Sequence, residues 1–236
     1  MPANPVFSEV WNNGRTVLTE IESKQFLSES GIPVVSTKLA KTRNDVKTFG
    51  NEIGFPSVMK IISPDIIHKS DIGGVRLNLK NGTEALQAYD EIMQKIKERN
   101  PGALIHGVSV QKMAAPGLEI IIGMFKDAQF GPMLMFGLGG IMVEALKDVS
   151  FRIIPVTADD TREMIREIKG YSLLTGFRGS EAIDIPYIEQ LLLNVSNMIE
   201  NHPEIKELDL NPVIAYKNGA IIVDSRIILE EKNYSV

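Results

Sequence analysis

Residues 57–79 read SVMKIISPDIIHKSDIGGVRLNL: two short apolar runs enclose a polar loop. Ser57–Ile62 predicts a buried strand, Val75–Leu79 predicts a second strand, and the glycine pair ends the loop between them. Upstream, Thr42 to Gly54 predicts a helix with Thr42 as N-cap and Gly54 as its stop. Downstream, Thr83 to Arg99 predicts a long helix closed by Asn100-Pro101-Gly102. Further upstream, Thr19 with Glu22 three residues on has the form of a capping box, with Ile21, Phe26 and Leu27 on one face and Gly31 as the stop. A short strand is expected at Val34 to Ala40. Strand and helix alternate, as in an α/β or α+β lobe.

The second half reads differently. Ile105–Met113 and Leu118–Met124 predict strands joined at Ala114-Ala115-Pro116-Gly117 as a hairpin-like hinge. Strands at Pro132–Phe136 and Phe151–Val156 follow, then helices at Thr161–Lys169 and Pro186–Asn201. Ile205–Tyr216 and Ala220–Leu229 predict a closing hairpin around Asn218-Gly219. The expected organisation is an arm at 1–16, a first α+β lobe at 17–104 and a second, mostly antiparallel lobe at 105–236.

Composition narrows the function. The chain has 236 residues, 44% hydrophobic and 23% charged, with net charge −5 and no cysteine. A globular core is affordable, and disulfides, thiolate metal sites and a catalytic thiol are excluded. The acidic balance argues against nucleic acid and anionic membrane as main partners. Residues 1–20 carry no basic start with an apolar core, and the most apolar stretch, 132–146, is broken by glycines and Glu144, so a cytoplasmic protein is expected.

Three constellations could carry chemistry. The loop packs Asp65, His68, Lys69, Ser70 and Asp71 ahead of Gly73-Gly74, behind a strand that carries Lys60. Polar groups held between two strands suit a rigid site. A solvated turn with a locally bonded histidine fits the composition equally, because a lone histidine is usually structural. Lys60, between Met59 and Ile61, needs an anion or a carboxylate if it is buried, unless it snorkels from a strand edge. In the last hairpin, Glu207, Asp209 and Asn211 alternate with leucines and share a face. Asp224 on the returning strand can face Asn211, giving oxygen donors of the kind Mg²⁺ accepts; an acidic solvent face gives the same pattern. The Gly137-Leu138-Gly139-Gly140 turn lacks the last glycine of a dinucleotide fingerprint, position 142 being Met, and no GxxxxGK[ST] run exists. It reads as a tight turn that another group can approach.

Taken together, LTEIESKQFLSESGIPV (18–34), HKSDIGGV (68–75), VQKMAAPGLEIIIG (110–123), FGPMLMFGLGGIMVEALKD (130–148), SFRIIPV (150–156) and ELDLNPV (207–213) resemble the β subunits of ADP-forming acetyl-CoA synthetases, ATP-grasp relatives of succinyl-CoA synthetase. The resemblance runs from about Leu18 to Glu230. It implies an ATP-grasp fold of two α+β lobes with ATP bound between them. It also implies an acid-thiol ligase active only with a CoA- and acyl-binding α subunit, expected as α2β2. The implied reaction is acyl-CoA + ADP + phosphate ⇌ acid + CoA + ATP. Under it, His68 matches the histidine that takes a phosphoryl group from an α-subunit phosphohistidine and carries it to ADP, and Asp65 or Asp71 could orient its ring. Lys60 matches the phosphate-binding lysine, Gln111, Lys112, Met113 and Ala114 match the adenine hinge, and Glu119 matches the acidic residue near the ribose. Asn211 and Asp224 match two Mg²⁺ ligands, with Asp209 the neighbouring acidic position. Gly73 and Gly74, like Gly137 to Gly140, are expected to let backbone approach the phosphates or the arriving phosphohistidine loop, and Arg152 is a candidate contact for the transferred phosphate with no role assigned beyond that. The glycine loop of succinyl-CoA synthetase has no close equivalent, because His68 stands there. Two other readings share these residues: a self-contained carboxylate ligase that forms an acyl phosphate and does not need His68, and a non-catalytic nucleotide sensor.

Overall fold

The computed structural model describes residues 4–66, 69–140 and 148–232; His68 lies outside the described residues. Its elements in chain order are α1 (Pro5–Asn12), α2 (Glu20–Glu29), β1 (Thr37–Ala40), α3 (Arg43–Ile53), β2 (Ser57–Ile62), β3 (Val75–Leu79), α4 (Gly82–Arg99), β4 (Gly107–Lys112), β5 (Leu118–Asp127), β6 (Gly131–Leu138), β7 (Val149–Ile153), α5 (Ala158–Glu167), α6 (Tyr171–Leu174), α7 (Ile185–Asn201), β8 (Ile205–Ala215), β9 (Ala220–Ile222) and β10 (Ser225–Leu229). The chain forms two compact units, one comprising 1–18, 22–34 and 116–236, the other 19–21 and 35–115.

The unit of residues 35–115 is built on a four-stranded antiparallel sheet in the order β1-β4-β2-β3. All six residues of β2 are buried. Its central place explains the run of apolar side chains there. The helix predicted from Thr42 forms, and its reasons are visible: the Thr42 hydroxyl accepts the Asp45 amide while the Asp45 carboxylate accepts the Thr42 amide. The Asp45 carboxyl is held below its usual range first by the Thr42 hydroxyl and then by the Thr42 backbone. α4 lays Ala85, Ala88, Ile92 and Ile96 on the sheet at helical spacing.

β4 corrects the expected boundary near 104. It pairs with β1 and β2, while β5 pairs with β6 and β8 in the other unit. The two runs around Ala114-Ala115-Pro116-Gly117 therefore enter separate sheets and form no hairpin. Local alternation predicts a strand but does not say which neighbour it takes.

The other unit carries a six-stranded antiparallel sheet, β10-β8-β5-β6-β7 with β9 on β8. One face is sealed by helices. α7 contributes Ile188, Leu191, Leu192, Val195, Met198 and Ile199, which meet Ile120, Ile122, Leu134, Phe136, Leu208 and Leu210 from the strands. Asp184 caps α7 through the Tyr187 amide and accepts the Gly219 amide at 3.1 Å, which fixes the closing hairpin to the helix start. On the other face Glu207, Asp209 and Asn211 of β8 are exposed, while Ile121 and Gly123 of β5 are buried.

The expected arm at 1–16 is in fact part of this core. Asn4 caps α1 through the Val6 amide, and Val6, Phe7 and Val10 are buried. The Phe7 ring lies 4.6 Å from Phe26, and His202 packs edge-on against both. Five spaced apolar residues among prolines and asparagines gave too short a pattern to read as a helix. Among the described residues no helix is long and apolar enough to cross a membrane. Because Phe7 is fully buried, Phe7→Ala should cost about 3–5 kcal/mol in chemical denaturation, whereas an undocked arm would leave the midpoint unchanged.

Candidate functional site

The candidate residues fall into a group in each unit, and each group is built by its own sheet. In the first, Lys60 stands mid-strand on β2, opposite Val75 on β3 and Ser109 on β4. Its side chain is 7% exposed and its Nζ lies 2.8 Å from Oε1 of Glu20, whose own side chain is 1% exposed. The snorkelling alternative is excluded by that burial. The other oxygen of the same carboxylate, Oε2, takes Lys69 Nζ at 2.8 Å. Removing one partner of such a buried set strands the remaining charges at a cost of about 3–5 kcal/mol. Glu20 was not singled out in the sequence, where it reads as an ordinary first-turn acid of α2.

The loop that follows β2 is tied on both sides of residues 67–68. Before them, Ile66 joins the apolar core and Asp65 Oδ2 accepts the Leu104 amide at 2.7 Å. After them, the Gly74 amide donates to the Lys69 carbonyl at 2.7 Å and the Gly73 amide to Ser70 at 3.0 Å. The carbonyl of Gly74 accepts the Ile61 amide and that of Gly73 accepts Arg76. These bonds correct the expectation that Gly73 and Gly74 offer their amides to phosphate: both N–H groups close the loop itself. Gly73 has a φ of 73°, and a Cβ on Gly74 would stand 2.6 Å from Ile61 Cγ2, so the pair serves a turn pressed against β2.

Gln111 is fully buried on β4, with its Oε1 3.4 Å from the Thr37 hydroxyl. Lys112 is exposed and pairs in register with Ser57. Met113 donates its amide to the Pro56 carbonyl at 3.0 Å, so its N–H is not a donor for a base. Beyond it, Ala114 lies on the connector out of β4.

The second group stands on the accessible face of the six-stranded sheet. Burial along β8 alternates, with Leu208 and Leu210 buried and Glu207, Asp209 and Asn211 exposed, so the three polar residues do share one face. Between Ile120↔Val213 and Ile122↔Leu210 the ladder shifts, and Asn211 with Pro212 opposes Ile121 alone. This bulge shifts the alternation after Asn211, so that Val213 returns to the core. The ladder continues from Val213↔Ile222 to Leu210↔Ser225, and the Asn211 amide donates to the Asp224 carbonyl at 3.3 Å. Asp224 thus faces Asn211, as expected. Asp209 opposes Gly123 on one side and Arg226 on the other. With no side chain at Gly123, a concavity of about 300 Å³ opens there, lined by Ile121, Met135, Asp209 and Arg226. The Asp209 carboxyl is pushed up, first by desolvation and then by the Asp224 charge, with Arg226 opposing both.

Two carboxylates and an amide on one face are hard oxygen donors, and the electrostatic strain between Asp209 and Asp224 is what a divalent cation relieves. The residues fit Mg²⁺, which keeps water and phosphate in its shell. Among the described residues no group of three or more His, Cys, Asp or Glu is placed to hold a metal ion.

Glu119 opposes Ile214 at the β5 edge of the same face. The Gly139 amide donates to its carbonyl at 2.7 Å, and a Cβ on Gly140 would stand 2.8 Å from its Oε2. The group that approaches the glycine turn is therefore Glu119. Gly137 belongs to β6, where a Cβ would stand 2.6 Å from the Asp148 carbonyl. Arg152 departs from expectation. Its guanidinium pairs with Glu167 at 2.8 Å and Glu163 at 3.4 Å. Alternation along β7 puts it with Ser150, which bonds Met164 of α5, on the helix-covered side and away from Asp209.

The comparisons agree with this geometry. An ATP-grasp domain model matches residues 9–229. The chain belongs to the ATP-grasp family, among the β subunits of ADP-forming acetate–CoA ligases. It is 50% identical over 90% of its length, and 91% of the relative's, to the acetate–CoA ligase [ADP-forming] I subunit beta of Pyrococcus furiosus. A solved acetyl-coenzyme A synthetase 1 of Ca. Korarchaeum cryptofilum, in complex with coenzyme A, Ca-AMPCP and HgCl⁺, superposes with a TM-score of 0.92 at 49% identity, covering 95% of this chain and 98% of that one. A second structure of that enzyme, with coenzyme A and Mg-AMPPCP and its phosphohistidine segment pointing towards the nucleotide binding site, gives 0.85 at 46% identity over 95% and 98%.

Two outcomes follow from the geometry. Asp209→Asn relieves repulsion with Asp224, so the chain without nucleotide should gain about 0.5 kcal/mol or less after solvent screening, read from denaturation midpoints, while Mg-nucleotide affinity falls. Arg152→Gln should leave ADP affinity within about twofold and stability within about 1 kcal/mol, since exposed ion pairs contribute little; a calorimetric titration checks it.

Proposed function

We propose that this chain is the nucleotide-binding catalytic subunit of an ADP-forming acetate–CoA ligase, which interconverts acetyl-CoA, ADP and phosphate with acetate, CoA and ATP. The observation that carries the reading is the convergence of Asp209 and Asn211 on β8 with Asp224 on the segment that returns beside it, in a chain close to subunits named for that reaction. His68 is the phosphoryl carrier. A phosphohistidine is a labile phosphoramidate: a β-phosphate oxygen of ADP attacks phosphorus, the P–O bond of ATP forms as the P–N bond breaks, and the imidazole leaves and takes up a proton.

The described residues supply the rest by position and charge. Lys60 presents its ammonium to phosphate oxygens while Glu20 keeps it in place. Gln111 to Ala114 border the adenine, with the Met113 amide already held by Pro56, so the base is read by other backbone groups of the connector. Glu119, steadied by Gly139, serves the ribose hydroxyls. Asn211 and Asp224 hold Mg²⁺, which neutralises charge on the nucleotide when bound. Asp209 is the catalytic acidic position beside them.

Acyl group and CoA are left to an α partner, expected as α2β2 in the cytoplasm. The Pyrococcus relative is itself named a β subunit, and the second Korarchaeum structure supports a phosphohistidine that meets the nucleotide. The test mixes this chain with an α partner, acetyl-CoA, ADP, phosphate and Mg²⁺. ATP should form only in the mixture, and the β chain should carry acid-labile, base-stable phosphate. His68→Ala should remove both signals and leave ADP binding intact. Turnover by the chain alone, or by the His68→Ala mixture, rejects the relay in favour of a self-contained ligase; binding with no labelled chain favours a sensor.

A further inference from the structure

One buried group in the unit of residues 19–21 and 35–115 does more than hold Lys60 in place: Glu20 has a second oxygen, which the relay as stated does not use. It opens α2, and residues 19–21 pack with that unit. Its carboxylate is 1% exposed and holds one ammonium on each oxygen, Lys60 from β2 and Lys69 from the loop, both at 2.8 Å. Lys69 sits one residue beyond the position of His68 and is itself 19% exposed, so it is reachable by solvent as Lys60 is not.

The loop has other anchors, but of a different kind. Ile66 in the core, Asp65 on the Leu104 amide and the Gly73 and Gly74 turn bonds hold the loop to its own sheet. None of them involves Lys60. The Lys69–Glu20 pair does, because the two ammonium groups divide one carboxylate. If either cation is drawn towards another anion, the remaining one takes a larger share of the carboxylate charge. A phosphate oxygen at Lys60 would therefore be felt at Lys69 without any contact between the two lysines.

We propose that Glu20 is a positioning residue that couples nucleotide phosphate at Lys60 to the seating of the loop at Lys69. The proposal rests on the reading that Lys60 binds nucleotide phosphate and deepens it: the strand that receives the nucleotide and the loop that delivers phosphorus share a carboxylate. With Lys69 seated, Glu20 is divided between two cations and Lys60 leans to phosphate. Without it, Glu20 closes on Lys60 and nucleotide binds less well.

The test uses the full chain with its α partner. Lys69→Met keeps the aliphatic stem and removes the charge; Glu20→Gln keeps the shape and removes the shared acceptor. Three readouts are taken: amide exchange at residues 70–74, ADP affinity by calorimetry, and exchange at β2 and β4 as a fold control. Lys69→Met should raise loop exchange about tenfold, weaken ADP about threefold or more and leave the β2 and β4 amides protected. Glu20→Gln combined with Lys69→Met should weaken ADP no further than Glu20→Gln alone, because both act through one carboxylate. If Glu20→Gln does not fold, Lys69→Met still decides. Faster loop exchange with unchanged ADP affinity, unchanged values for both, or additive losses in the double variant would each overturn the coupling. A wild-type complex that binds no ADP would instead overturn the nucleotide reading, so the two failures are told apart.

Discussion

A lysine in the middle of a fully buried strand can stay charged only if a counter-charge is buried with it, and the Lys60–Glu20 pair is that solution. The requirement reaches far along the chain. It brings the first turn of α2 to β2, so residues 19–21 pack with a unit whose other residues begin at 35. It also leaves the second oxygen of Glu20 facing the loop, where Lys69 completes it. A charge kept in such a place is costly in a purely structural strand, where Met or Ile would pack as well. The proposed role of Lys60 at a nucleotide phosphate gives that cost a purpose.

The second sheet obeys a complementary constraint. Because α1, α2, α5 and α7 seal one face with apolar side chains, every alternate residue of β5, β8 and β10 is left on the other. Polar groups placed there are close to one another without being buried. The bulge at Asn211-Pro212 and the break between β9 and β10 then bring Asn211 and Asp224 level. Mutual repulsion between Asp209 and Asp224 is tolerable at this surface and would not be in the core.

Much of this was legible in sequence because it follows from local rules. Thr42, Asp45 and Gly54 announce α3, and the alternation around Leu208 and Leu210 announces the polar face of β8. The ATP-grasp fold followed from motif resemblance, not from periodicity. What could not be read depends on pairing at a distance. β4 looks like the start of the second lobe until its partners β1 and β2 are known. Phe7 looks like part of a loose arm until Phe26 and His202 close around it. Arg152 invited a phosphate role because its two acidic partners lie on α5, and only the sheet register reveals which side it faces.

Gly73-Gly74 teaches the same point about motifs that resemble ligand cradles. Consecutive glycines raise the expectation of free amides, yet here both amides are consumed within the loop, both carbonyls accept from the flanking strands, and the missing Cβ of Gly74 makes room for Ile61. A glycine pair can be demanded by a protein surface as easily as by a phosphate, and the two cases differ only in where the N–H vectors end. For this loop the consequence is functional. Its trailing side is fixed by two amide hydrogen bonds and by Arg76 on the Gly73 carbonyl. The Lys69–Glu20 pair is the contact that ties it to the carboxylate shared with Lys60, one residue from the imidazole proposed to carry the phosphoryl group.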